Sequence, residues 1–159
     1  MKLRNDLTSE QLDFVEQMGM VAEQDGRSRM AGRIAGFLLI CDPPEQTAGS
    51  IREALGVSTG AVSTALRELR VRTLVEEVPK AGTRARYFRI RPGAWTDGTR
   101  RAVEGIRKLV KIAEAGMPLV EGDDRESTRR LEEMRDYYRF MAEALPELLD
   151  RWERNRGRE

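Results

Sequence analysis

A mainly α-helical chain carrying one small β-hairpin is the fold class this sequence predicts, and three observations predict it. Apolar residues recur at three- and four-residue spacing through six separate stretches. Between the fourth and fifth of these the period changes to a strand-like pattern, over Leu74 to Val78 and again over Arg84 to Arg91, on either side of Pro79, Lys80, Ala81, Gly82 and Thr83, a loop of hairpin length. The third and fourth helical stretches are short and separated by a few residues that include Gly56, which is the helix-turn-helix plan. A length of 159 residues with 40% hydrophobic content allows one compact domain, or a small domain with helical arms.

Each element follows from local chemistry. Thr8, with Gln11 three residues later, forms the pattern of a capping box and opens a helix over about 7–23 that places Leu12, Val15, Met18 and Ala22 on one face. Gly26 ends it. The second helix, about 28–41, carries Met30, Ile34, Phe37, Leu38 and Cys41 as an apolar stripe. It stops at Pro43 and Pro44, which lack amide hydrogens and have a fixed φ. Thr47 caps a stretch with Ile51, Ala54 and Leu55; Ser58 caps another with Val62, Ala65, Leu66 and Leu69. In the second strand Arg84, Arg86, Phe88 and Ile90 share one parity, so the hairpin reads as a wing with a buried root and a cationic tip.

After Pro92 and Gly93 a helix over about 99–117 carries Val103, Ile106, Val110 and Ala113, and residues 118–124 read as a loop. In the last helix, about 125–152, Leu131, Met134, Tyr138, Met141, Leu145, Leu148 and Trp152 alternate at three and four residues, a heptad seam that requires a partner helix. Pro146 falls inside this seam and is expected to kink or restart the helix. The expected organisation is N-terminal helices for dimerisation and core (1–42), a winged helix-turn-helix domain (43–93) and C-terminal dimerisation helices (94–159).

The net charge of +1 conceals an uneven distribution. Residues 1–46 carry −3, residues 47–57 are neutral, residues 58–101 carry +6 and residues 102–159 carry −2. The positive block coincides with the second helix of the turn motif and the wing, where a DNA backbone would need it. Thr59, Gly60, Ser63 and Thr64 sit near the N-terminus of that helix, the end that enters a major groove in such motifs, and are small enough for close approach to base edges. Arg67 lies one turn further, within reach of guanine or phosphate. On the wing, Lys80, Arg84 and Arg86 are the candidate cations, the two arginines suited to a narrow minor groove. Thr47 and Ser50 are candidate phosphate contacts. For Thr47 and Ser58, helix capping accounts for the residue more simply than base contact.

Other chemistries are narrowed by composition. With no histidine and a single cysteine, there can be no catalytic His dyad or triad, no His-rich metal site and no internal disulfide. Cys41 has no adjoining basic cluster to activate it and reads as a small buried side chain. Gly56 and Gly60 lie in no phosphate-loop pattern, Asp123 and Asp124 lack the spacing of a calcium loop, and adjacent pairs such as Glu76 and Glu77 read as solvated. No catalytic residue, metal or cofactor is expected. The longest apolar run, Phe37 to Cys41, cannot span a bilayer, and residues 1–6 lead into no apolar signal segment, so the expectation is cytoplasmic. A winged-helix module that binds another protein is the alternative to DNA binding; steep salt dependence would separate the two.

Five segments, read together, resemble a known family: Phe14 to Gly19, Ala31 to Pro43, Gly60 to Thr64, Ala81 to Pro92 and Leu131 to Asp136. They are similar to the MarR-type winged-helix regulators, particularly the GbsR-like branch found in actinobacteria, which includes a mycobacterial repressor of a lipid-transport and drug-efflux pump. The resemblance implies a homodimer on a near-palindromic operator, held together by the first and the last two helices. On this chain that assigns Leu12 and Val15 together with the heptad residues from Leu131 to Trp152. It also implies repression, often of an adjacent gene such as a transporter, relieved by a small lipophilic or aromatic ligand. Met18, Phe37, Trp95 and Phe140, with Arg33 or Arg107 as polar anchor, are the candidate ligand contacts, though such residues more often simply pack. Two positions depart from the pattern: Thr83 stands where the wing usually has an acidic residue, and Arg52 where the first motif helix usually has Ala.

Overall fold

The computed structural model describes residues 7–120 and 125–156. The segment 1–6, read above for a signal, and residues 121–124 of the expected loop lie outside the described residues. Two compact units make up the chain, residues 1–94 and residues 95–159.

In the first unit, α1 (Ser9–Gln24) begins at Thr8, whose hydroxyl accepts from the Gln11 amide while the Gln11 side chain accepts from the Thr8 amide, closing the capping box. Gly26, at φ 70°, turns the chain into Ser28, the cap of α2 (Arg29–Ile40). The two helices pack backbone to backbone. A Cβ placed on Gly32 would lie 2.4 Å from the Met18 carbonyl oxygen and 2.9 Å from Gly19 Cα, so only glycine permits the approach. Glu16 pins the pair from the side: Arg29 donates to it at 3.1 Å, and Arg33 Nε lies 2.7 Å away although its N–H does not point along the contact.

The other side of α2 packs on α4. Val15, Ile34, Phe37, Leu38, Ile51, Val62, Leu66 and Leu69 form a continuous core with Val75 and Phe88. Cys41 is only half-buried, at the end of α2 rather than within the core as expected. Its Sγ donates to the Leu38 carbonyl at 3.7 Å, and burial pushes the thiol up, away from the reactive thiolate.

Next come β1 (Gln46–Thr47), α3 (Ala48–Leu55) and α4 (Thr59–Val71), then β2 (Val75–Val78) and β3 (Tyr87–Ile90). Gly56 adopts the left-handed conformation at the end of α3. The sheet is antiparallel in the order β1-β3-β2, with Gln46 opposite Phe88 and Val75 opposite Ile90. Two expectations are corrected here. β1 has no sequence period to betray it, being two residues long; its Gln46 is buried and donates to the Pro43 carbonyl at 2.6 Å. The second strand begins at Tyr87 rather than Arg84, so the wing loop runs over residues 79–86 and the parity argument stops short of Arg84 and Arg86. Arg52, whose departure from Ala bears on the packing of the two motif helices, points outward and pairs with Glu53, leaving Ile51 and Leu55 to make the contact.

The second unit contains nearly all of α5 (Ala94–Gly116), a short turn of 3-10 helix (Met117–Leu119) and α6 (Arg125–Arg156). α5 starts five residues earlier than predicted, immediately after Gly93, because Pro92 and Gly93 complete the punctuation by themselves. α5 and α6 run antiparallel, with Arg100 donating to Glu153 at 2.6 Å and Arg139 to Glu114 at 2.8 Å. Gly116 faces the Leu131 side chain. Val103 and Ala113 are buried on α5, whereas no described residue of α6 is. The helix continues through Pro146 without the expected restart; Pro146 has no amide hydrogen to offer the Ala142 carbonyl.

Candidate nucleic-acid interface

The helix starts of the candidate surface are set by caps. Thr47 accepts from the Ser50 amide at 3.0 Å, and Ser58 from the Ala61 amide at 3.2 Å. Both hydroxyls therefore satisfy orphan amides at helix starts. The Ser50 hydroxyl turns back to donate to the Thr47 carbonyl at 2.9 Å. The first and third of these bonds close the start of α3, and the Ser58 bond closes the start of α4. The buried face of α4 carries Val62, Ala65, Leu66 and Leu69, so the opposite face must be exposed, and Thr59, Gly60, Ser63, Thr64 and Arg67 all lie on it.

Between α4, the start of α3 and the wing runs a cleft of about 450 Å³. It brings together Thr47, Ser63, Arg67 and Arg86, which the sequence singled out, with Arg70, which it did not. Arg70 was legible in principle, since it follows Arg67 by three residues and Ser63 by seven on the same helical face. Ser50, Ser58, Thr59 and Thr64 lie outside this lining. At the wing, Gly82 turns with φ 80°, and the Thr83 hydroxyl accepts from the Ala85 amide at 3.0 Å. The residue that replaces the usual acid thus organises the tip without adding charge.

The cations of this surface divide into two groups. Arg67 and Arg84 have no ion pair among the described residues and are exposed. Arg70 and Arg86 pair with Glu77, and Lys80 is drawn away from the tip: it sits 2.8 Å from Glu45 and 4.2 Å from the Tyr87 ring centroid. Arg89 extends this second network, reaching Glu76 at 2.7 Å and Glu45 at 3.3 Å. The hydrogen bond from Lys80, helped by the charges of Lys80 and Arg89, holds the Glu45 carboxyl below its ordinary range against a smaller opposing effect of desolvation. A depressed carboxylate pKa stabilises the fold above the ordinary Glu value, and that contribution is lost as pH falls through the folded-state value. Titration followed by carboxyl NMR is expected to give Glu45 a midpoint below that of an unperturbed Glu, and Lys80→Met to raise it. An unmoved midpoint in Lys80→Met would refute the assignment.

The remaining candidates are placed as follows. Phe37 is 1% exposed within the core, Met18 packs over Gly36, and Arg33 is engaged by Glu16. In the second unit, Trp95 and Phe140 are 55% and 66% exposed, and Arg107 donates to Glu104 at 2.5 Å. Trp95 also lines an apolar groove of about 530 Å³ with Leu145, Leu148 and Trp152, between the start of α5 and the end of α6. Leu131, Met134, Tyr138, Met141 and Leu145 are half-buried, Leu148 and Trp152 more exposed. On α1, Leu12 is exposed while Val15 is fully buried in the core and has no surface to offer a partner. Among the described residues, no cluster of acidic and cysteine side chains could hold a metal ion, and no helix is long and apolar enough to cross a membrane.

A three-stranded wing, a capped helix-turn-helix and an arginine-lined cleft define a winged helix-turn-helix DNA-binding protein. Residues 93–155 match the family described as MmpR5-like MarR family transcriptional regulators. The chain is 36% identical over 146 residues to the HTH-type transcriptional regulator MmpR5 of Mycobacterium tuberculosis, covering 92% of this chain and 88% of that protein. It is also similar to a crystal structure of a transcriptional regulator, at 35% identity and a TM-score of 0.78, covering 91% of this chain and 99% of the other. The chain belongs to the MarR family of transcriptional regulators, in its MmpR5-like group. Members of this family are DNA-binding regulators rather than enzymes.

Proposed function

We propose that the protein is a homodimeric repressor that binds a near-palindromic operator through α4 and the wing and leaves it when a small lipophilic ligand binds. The observation that carries the DNA contact is the exposed face of α4, small and polar at its N-terminal end, flanked by Arg67 and the wing's Arg84, neither paired with a carboxylate among the described residues. In this reading Thr59, Gly60, Ser63 and Thr64 approach base edges, Arg67 reaches guanine or phosphate, and Arg84 enters the adjoining minor groove. The exposed heptad residues of α6 support association with a second copy, since a seam of this kind is stable only when covered. Control of a transporter gene and relief by a lipophilic effector rest on the family resemblance; in the second unit the apolar groove beside Trp95 and Trp152 suits such a molecule.

Arg84→Ala tests the DNA contact. Fluorescence anisotropy across a salt series is expected to show weaker binding to every duplex and a log K against log salt slope shallower by about one unit. A slope equal to that of the wild type would remove Arg84 from the interface. For the repressor reading, a reporter driven by the divergent promoter nearest the gene is expected to rise when the gene is deleted. A reporter that falls instead would mark an activator.

A further inference from the structure

The three arginines of the cleft are not equivalent. Arg67 is unpaired among the described residues, whereas Arg70 and Arg86 share one carboxylate, with Glu77 Oε2 3.3 Å from Arg70 Nη1 and 3.8 Å from Arg86 Nη1. No acidic residue lines the cleft itself. Glu77 reaches it from behind: it stands opposite Phe88 in the β2–β3 register, and residues directly opposite in antiparallel strands share a face of the sheet. Phe88 is buried in the core with α4, so Glu77 lies on the inward face, near the open end of the sheet. Its neighbour Glu76 lies on the other face and pairs with Arg89. An acidic group at this position opposes any phosphate that enters, and ion pairs between partly exposed groups add little to stability. Its position between two arginines of different elements gives it another use.

We propose that Glu77 is a positioning residue for DNA discrimination. In the free protein it ties the wing, through Arg86, to α4, through Arg70, and it competes with phosphate for both guanidiniums. A duplex that touches α4 or the wing alone must displace this carboxylate for a single contact. One that seats both elements gains two charge-assisted contacts for the same displacement. Glu77 thus weakens binding to arbitrary sequence more than binding to the operator. This rests on the assignment of the α4 and wing surface to DNA.

The test uses the full chain and two probes: a mixed-sequence duplex long enough for both half-sites, and a duplex selected from a random library by the wild-type protein. Glu77→Gln keeps the shape and removes the charge. It is expected to bind the mixed-sequence duplex about three- to tenfold more tightly, with a salt slope steeper by about one unit. The selected duplex is expected to gain less, so the ratio of the two affinities falls. In an Arg70→Gln/Arg86→Gln background the same substitution is expected to change neither quantity, which a merely structural role would not produce. An unchanged ratio and slope in a folded Glu77→Gln protein overturns the proposal, as does equal weakening on both probes. Should Glu77→Gln fail to fold, the single variants decide: Arg67→Gln must lower mixed-duplex affinity more than Arg70→Gln does, and equal losses overturn it. Wild-type protein that binds neither probe would sink the DNA assignment itself, and the proposal with it.

Discussion

Replacing Gly32 with valine is expected to cost about 4 kcal/mol of stability and to leave the first unit largely unfolded near physiological temperature. The cause is steric and local. A Cβ at this position would meet the Met18 carbonyl oxygen at 2.4 Å, Ala22 Cβ at 2.5 Å and Gly19 Cα at 2.9 Å, and two of these three atoms are backbone that cannot rotate aside. Even alanine, a better helix former than glycine by about 1 kcal/mol, is expected to be destabilising by about 2 kcal/mol net, because α1 and α2 must separate to admit it. At about 2–4 °C per kcal/mol for a chain of this size, Gly32→Ala should melt roughly 4–8 °C below the wild type. Gly60 supplies the control. Nothing lies within 4 Å of a Cβ placed there, so Gly60→Ala is expected to leave the melting temperature unchanged or raise it slightly. Equal melting curves for the two alanine variants would show that the helices do not meet at Gly32.

The second large effect is expected from α6. Leu148 is 60% exposed and Trp152 54% exposed, an arrangement that costs nothing to an assembled dimer and a good deal to an isolated chain. Leu148→Asp places a charge on this surface without uncovering the core. It is expected to weaken self-association at least about 100-fold, the scale of a central interface residue. Leu145→Asp should do the same, but Leu145 is half-buried, so its effect is read together with a circular dichroism melt of the variant. Sedimentation velocity checks the oligomeric state, and DNA binding should lose its half-site cooperativity in step. A Leu148→Asp protein that still sediments as a dimer would remove α6 from the interface.

Much of the fold was legible because it is written in capping and period. Thr8, Thr47 and Ser58 each cap the helix that follows, and the buried residues of α4 are those the helical spacing selects. What escaped was short or non-local. β1 is two residues long and exists only because β3 pairs with it, a partner some 40 positions away. The start of β3 escaped because Arg84 and Arg86 continue the alternation of Phe88 and Ile90 although the hydrogen-bonded ladder ends at Tyr87. In the candidate site, the positions of the arginines were readable from helical and strand spacing, but their pairing was not. Lys80 looked like a wing cation until Glu45, 35 positions earlier, came beside it. Glu77 looked like half of a solvated acidic pair, and its two arginine partners lie on different elements.

The tight crossing of the first two helices has a mechanical consequence. Meeting backbone to backbone at Gly32, they form a single stiff lever, and the far side of α2 bears directly on α4. Close-packed interiors have little give. A tilt imposed on the outer helix is therefore handed on to α4, instead of being soaked up along the way.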